Sequence, residues 1–253
     1  MVEHGIDVSR WNDVTDWHAV RDNGITFVSV KVTEGTTHVD PVSSRHVSGA
    51  REAGVTTGGY HYARPEDTAA QVAHFADRLS ELGLLNDDSL WPMLDMEADG
   101  FDDPDGFVRD FVHRFREYTG THGLLVYANR YWFTQVLRPD EWLDDGVLLW
   151  IARYNGDPGT TEWEHPRLAL HQYTNTGSVP GVNGHVDRDV TVGGWTVAAF
   201  TVGGGSPRTH TVQPGETLRS IAALYGVDWQ ELARINGIEN PDLIHPGQVL
   251  RIP

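Results

Sequence analysis

The stretch Leu94-Asp95-Met96-Glu97 sets two carboxylates two residues apart, at the end of a segment, 92–97, that reads as a β-strand. Side chains alternate along a strand, so both acids face one side with Cα atoms roughly 6.5–7 Å apart. Like charges held this close push one pKa up and leave a protonated acid beside an ionised carboxylate near neutral pH. Acid plus carboxylate is the equipment of glycosidic bond cleavage. Asp-x-Glu alone also fits an exposed strand end with solvated acids. Asp7 and Asp187, at the ends of two other strand candidates, favour a shared site, and Asp189 lies close by.

Other chemistries lack their parts. Three aspartates and a glutamate have the donors for Mg²⁺ or Ca²⁺. The 13 His, however, are scattered, His-Glu-x-x-His is absent, and no metal or other cofactor is expected. There is no Gly-x-Ser-x-Gly elbow and no phosphate-cradling Gly-x-x-x-x-Gly-Lys loop. Cysteine is absent, which excludes disulfides, thiolate metal sites and a cysteine nucleophile. The net charge of −17 repels nucleic-acid phosphate, and no basic stripe offsets it. No apolar run approaches the ~20 residues of a spanning helix, so no membrane insertion is expected.

Aromatic side chains accompany the acids. Nine Trp and eight Tyr are many for 253 residues. Tyr60, Tyr62, Tyr127, Trp150 and Tyr173 fall near predicted strand ends, with Gln172 beside the last. Aromatic faces stack on the C–H faces of sugar rings, and phenols bond sugar hydroxyls; packing is the ordinary alternative for each one alone. Lys31, the only lysine, ends another strand, where it is expected to pair with one of the acids and keep it ionised.

These residues need a scaffold. Strand patterns cover 5–8, 26–31, 57–62, 92–97, 124–129, 147–152, 168–173 and 186–190. Helical patterns fill 66–82, with Ala69, Val72, Ala73, Ala76 and Leu79 at spacings of three and four, and 105–118. Shorter helices stop at Gly24 and Gly54. After Leu148 no convincing helix separates the strands. The expected fold is α/β: an irregular β/α barrel of about eight strands and five helices, closing by loops and carrying its site at the C-terminal strand ends.

A Gly-rich stretch, 201–208, reads as a linker between a domain over 1–200 and a second over 209–253. The second reads βααβ. Thr217 caps a helix with Leu218, Ile221 and Ala222, and Asp228 caps another with Leu232 and Ile235.

Residues 3–196 resemble the glycoside hydrolase family 25 lysozymes. The matching pieces are Gly5-Ile6-Asp7-Val8-Ser9, Lys31-Val32-Thr33-Glu34-Gly35, Gly59-Tyr60-His61-Tyr62, Leu94-Asp95-Met96-Glu97, Val126-Tyr127, Gln172-Tyr173 and Val186-Asp187-Arg188-Asp189. The resemblance implies an irregular β/α barrel that cuts the β-1,4 bond between N-acetylmuramic acid and N-acetylglucosamine in peptidoglycan. It implies Glu97 as proton donor, with Asp95, Asp7 and Asp187 lining the site. Asp95 then has three roles open to it: steadying an oxocarbenium-like centre, orienting the acetamido group, or activating water. Two departures stand out: Asp189 where Asn is common, and Tyr62 where Phe is usual.

The segment 209–253 resembles a LysM domain. That implies glycan binding between two loops, at Gly215, Glu216, Thr217 and Leu218 and at Ile244, His245, Pro246 and Gly247. Bacterial peptidoglycan is thus the expected partner of both parts, and a monomer is expected. The alternatives are a wall-binding protein without catalysis and a hydrolase of chitin-like polymers. Met-Val-Glu-His-Gly-Ile-Asp lacks the basic and apolar regions of a signal peptide. Synthesis in a host cytoplasm, release at lysis and action at the cell wall are the corresponding expectations.

Overall fold

A computed structural model describes residues 2–203, 208–225, 227–238 and 240–252. The chain folds into two compact units, Met1–Gly204 and Gly205–Pro253. Of the expected linker, 204–207 lie outside the described residues.

The first unit is a closed barrel of β1 (His4–Val8), β2 (Ile25–Glu34), β3 (Thr56–Tyr62), β4 (Met93–Asp95), β5 (Leu124–Asn129), β6 (Val147–Ala152), β7 (Leu168–Gly177) and β8 (Val186–Thr191). Strands β1 to β7 run parallel to their sequence neighbours. β8 runs antiparallel to both β7 and β1 and closes the ring. An antiparallel return needs only a short connection, which is why no helix separates β7 from β8. The reversal matters for the site. It brings the N-terminal end of β8 to the rim where the other strands end, and Asp187 is the direct register partner of Asp7.

Parallel strands covered on both faces read as continuous apolar runs, and all six residues of β6, Val-Leu-Leu-Trp-Ile-Ala, are buried. Outside lie α1 (Trp17–Asp22), α2 (Ser43–Glu52), α3 (Thr68–Glu81) and α4 (Pro104–Thr119). Asp103 caps α4 by accepting from the Gly106 N–H, Pro104 suits the first turn, and Gly120 ends the helix in the left-handed region at φ 73°. The buried stripe of Phe107, Phe111 and Phe115 packs toward the barrel with Phe75 of α3. A further helical segment between β5 and β6 is one π turn, Trp132–Val136.

A second core fills the barrel. Phe27, Leu90, Trp91, Met93, Leu125, Leu148 and Trp150 interdigitate there with Trp195, Val197 and Phe200 from the segment after β8. That segment is pinned by Trp91 N–H to Phe200 O at 2.8 Å and Trp91 Nε1–H to Thr201 O at 3.1 Å. It stoppers the N-terminal end of the barrel and leaves the other end open. Gly5, on the same face of β1 as Asp7, has no room for a side chain: a Cβ would stand 2.2 Å from the ring of the fully buried Phe27. Gly5→Ala is expected to lower stability by about 1–3 kcal/mol through overpacking. An unchanged urea midpoint would contradict this account of β1.

The second unit pairs β9 (Arg208–Thr211) antiparallel with β10 (Val249–Ile252), joined by α5 (Leu218–Tyr225) and α6 (Trp229–Ile235). Its core is Val212, Leu218, Ile221, Leu232, Leu250 and Ile252.

Candidate active site

At the open end of the barrel lies a cavity of about 130 Å³. Asp7, Asp95, Glu97 and Asp187 line it, with Tyr60, Tyr127, Trp150 and Gln172. Lys31, Tyr62 and Tyr173 are not among its lining residues, whereas Met93 and Tyr154 are.

Strand β4 is shorter than expected. It ends at Asp95, and Glu97 stands two residues beyond it. The Asp95 main chain is held on both sides, with Ala63 N–H donating to Asp95 O at 3.0 Å and Met96 N–H to Tyr127 O at 2.8 Å. Asp95 is only 5% exposed, while Glu97 stands out toward solvent. Oδ1 of Asp95 is buried and meets no donor. Burial, then the Glu97 charge, raises the Asp95 pKa well above the usual carboxylate range. Desolvation by the protein around its carboxyl also raises Glu97, although part of the side chain stays open to solvent, against the pull of Lys31 and Arg64. The expected division, proton on Glu97 and charge on Asp95, is therefore not what burial alone favours: the deeper acid is pushed further. Both acids are pushed up, Asp95 further, and Glu97 is the exposed partner.

Asp7 is half-buried and receives the Gln172 Nε2–H at 2.5 Å. The hydroxyls of Tyr127 and Tyr154 both donate to Gln172 Oε1 at 2.8 Å. Two donors on that oxygen fix the orientation of the amide, so its N–H must point at Asp7. Burial, then the charge of Asp187, raises Asp7 well above its ordinary pKa. Burial and the charge of Glu97 bring Asp187 to about 6.

Lys31 does not pair with any of these acids. Its Nζ lies 2.6 Å from Glu34, which also takes Arg64 at 2.5 Å. Burial works to raise Glu34, but hydrogen bonds from the two cations take it down to about 2. The same cations stand over the Tyr62 ring, 4.6 and 4.7 Å from its centroid, and this occupies the expected stacking residue. Tyr173 follows Gln172 directly and so projects from the other face of β7. Its ring meets His171 edge-on and the Arg188 guanidinium at 5.8 Å. Trp150 is not at a strand end: it is fully buried within β6, edge-on to Tyr127, and offers no face to a sugar. Its indole N–H donates to Asp189 Oδ1 at 3.1 Å. Tyr154, missed by the sequence pattern, lies in the loop just past β6 and is half-exposed at the cavity rim. Among the described residues, no group of three or more His, Asp or Glu side chains is arranged to hold a metal ion. No helix among them is long and apolar enough to cross a membrane.

In the second unit, Gly247 N–H donates to Val212 O and Val212 N–H to Gln248 O, both at 2.9 Å, which sets the two expected binding loops side by side. Gly215 turns the first loop at φ 88°. Glu216 accepts from Gln213 N–H at 2.7 Å and pairs with His210 at 2.5 Å. Thr217 caps α5 through Ser220 N–H. The His245 N–H donates to Gln248 Oε1 in the turn that Pro246 and Gly247 complete. Ile244 packs partly against the core, and Leu218 is buried in it, so the Leu218 side chain is no ligand contact.

The profile of glycosyl hydrolases family 25 matches residues 6–182, and that of the LysM domain matches 210–253. Lysozyme M1 of Streptomyces globisporus is 30% identical over 201 residues, 73% of this chain and 66% of its own length. The autolytic lysozyme of Clostridium acetobutylicum is 28% identical over 245 residues, 94% of this chain and 69% of its own. The chain thus spans about two thirds of the length of these curated relatives. The crystal structure of the bacterial lysozyme from Streptomyces coelicolor matches with a TM-score of 0.63 at 28% identity, covering 74% of this chain and 90% of that one.

Proposed function

Because the chain belongs to glycosyl hydrolases family 25 and carries a LysM domain, we propose that it hydrolyses the β-1,4 bond between N-acetylmuramic acid and N-acetylglucosamine in peptidoglycan, with Glu97 as general acid. The observation that carries this is the placement of Asp95 and Glu97 on one open cavity with Asp7 and Asp187, where burial raises all four acids. A carboxyl with a raised pKa is still protonated when it meets the glycosidic oxygen, and Glu97 is the acid exposed enough to reach it. Glu97 gives its proton to the leaving oxygen as the bond from that oxygen to the anomeric carbon breaks; a water then adds to the anomeric carbon and yields a proton to a carboxylate of the site. Asp95, deep beside Glu97 with one unpartnered oxygen, faces the charge that develops on the sugar. Asp7 and Asp187, register partners across β1 and β8, hold the sugar and keep the local field negative.

The LysM unit supplies the wall anchor. Its binding loops, around Gly215–Thr217 and Ile244–Gly247, take N-acetylglucosamine-containing glycan. A tethered second site raises the local substrate concentration to the millimolar range, so weak binding by one module suffices. Action at the bacterial cell wall follows from the substrate.

Mass spectrometry of digested peptidoglycan tests the proposal. New reducing ends are expected on N-acetylmuramic acid, with chitin oligomers left uncut in parallel. New ends on N-acetylglucosamine, or wall binding with no new ends, would overturn it.

A further inference from the structure

Asp189 is an acid that the proposed chemistry leaves unused. It sits on β8 opposite Gly5 of β1 and Gln172 of β7, and it is fully buried. Its Oδ1 accepts the Trp150 indole N–H from β6. Its Oδ2 is buried and meets no donor. Opposite it, Gly5 has no side chain, so the next side chain on that face of β1 is the Asp7 carboxyl, whose charge it feels.

Ionised carboxylates only accept hydrogen bonds, so two of them in contact need a proton between them. The surroundings decide which acid carries it. Asp7 already receives the Gln172 N–H, and the two phenols on Gln172 Oε1 prevent that amide from turning. Asp7 is thus surrounded as an acceptor. Asp189 lies deeper, has a single donor, and faces the negative charges of Asp7 on β1 and Asp187 on its own strand, with the uncharged Trp150 and Gln172 on the other two sides. We propose that Asp189 is a neutral carboxylic acid whose O–H donates to Asp7 and holds that carboxylate in place at the cavity, as a positioning residue for the hydrolysis proposed above. Burial and the neighbouring charges push its pKa in the direction this requires.

Asparagine reproduces the neutral acid atom for atom: Oδ1 accepts from Trp150 and Nδ2–H donates to Asp7. Asp189→Asn is therefore expected to keep kcat on peptidoglycan within about threefold of the parent. Asp189→Ala, which lacks the donor, is expected to lose at least about tenfold in kcat. A second readout needs no activity. In the unfolded chain the acid ionises near pH 4, whereas in the folded chain it stays protonated to higher pH. The parent therefore loses stability as pH rises from about 4 through the folded pKa, and an amide does not. The melting temperature of Asp189→Asn minus that of the parent should rise over that window. A fall with pH, a loss beyond about thirtyfold in kcat for the Asn variant, or an Ala variant as active as the Asn variant would overturn the assignment. If the parent releases no muramic reducing ends, the hydrolase proposal fails, while the melting series still decides whether Asp189 is neutral.

Discussion

Glu97→Gln should lower kcat on peptidoglycan by about 10³-fold or more and leave fold and wall binding intact. General acid catalysis contributes typically 10²–10⁴-fold, and glutamine keeps the shape of the side chain but has no proton to give the leaving oxygen. Glu97 is exposed and takes part in none of the hydrogen bonds that hold the mouth together, so circular dichroism and melting should match the parent. The alkaline limb of the pH profile should also vanish. In the parent, activity falls as pH rises through the raised pKa of the acid; in the variant there is no such group to lose its proton. On a glycoside whose leaving group departs without protonation, such as a nitrophenolate, the deficit should shrink. A variant that releases reducing ends at near-parent rate would remove Glu97 from the acid role.

Asp95→Asn should cost about 10²–10³-fold in kcat, through loss of the negative group that meets developing positive charge. Two features separate it from the first variant. A better leaving group should not rescue it, because the defect is not in protonation. The alkaline limb should also move to lower pH, since removing one of two repelling charges lowers the pKa of the other. The same Asp→Asn change is thus expected to be tolerated at Asp189 and crippling at Asp95, though both are buried acids with an unpartnered oxygen. Full activity in Asp95→Asn would show that this carboxylate plays no part in bond breaking.

The scaffold was legible in the sequence because its signals are local. Apolar runs mark the parallel strands, and apolar residues at spacings of three and four mark α3 and α4. The acids were legible for the same reason: Asp95 and Glu97 lie two apart, and strand periodicity needs no partner to be known. What depended on pairing was hidden. That β8 runs backwards, bringing Asp187 against Asp7, is a property of register between distant segments. That Lys31 pairs with Glu34 and not with an acid of the cavity depends on Arg64 from after β3 completing the cluster. Trp150 misled because a strand filling a barrel and a strand ending at a cleft look alike in one dimension. Tyr173 falls to the alternation rule itself: next to Gln172, only one of the two faces inward.

The isolation of Lys31 has a practical corollary. It is the chain's only side-chain amine, locked at 2.6 Å to Glu34 and close enough to Asp95 and Glu97 for its charge to be felt by both acids. Reductive methylation with isotope-enriched formaldehyde would install a single side-chain reporter, beside the cleft, told apart from any labelled α-amine by that amine's lower pKa. Its resonance would follow titration of the acids and arrival of glycan without any mutation.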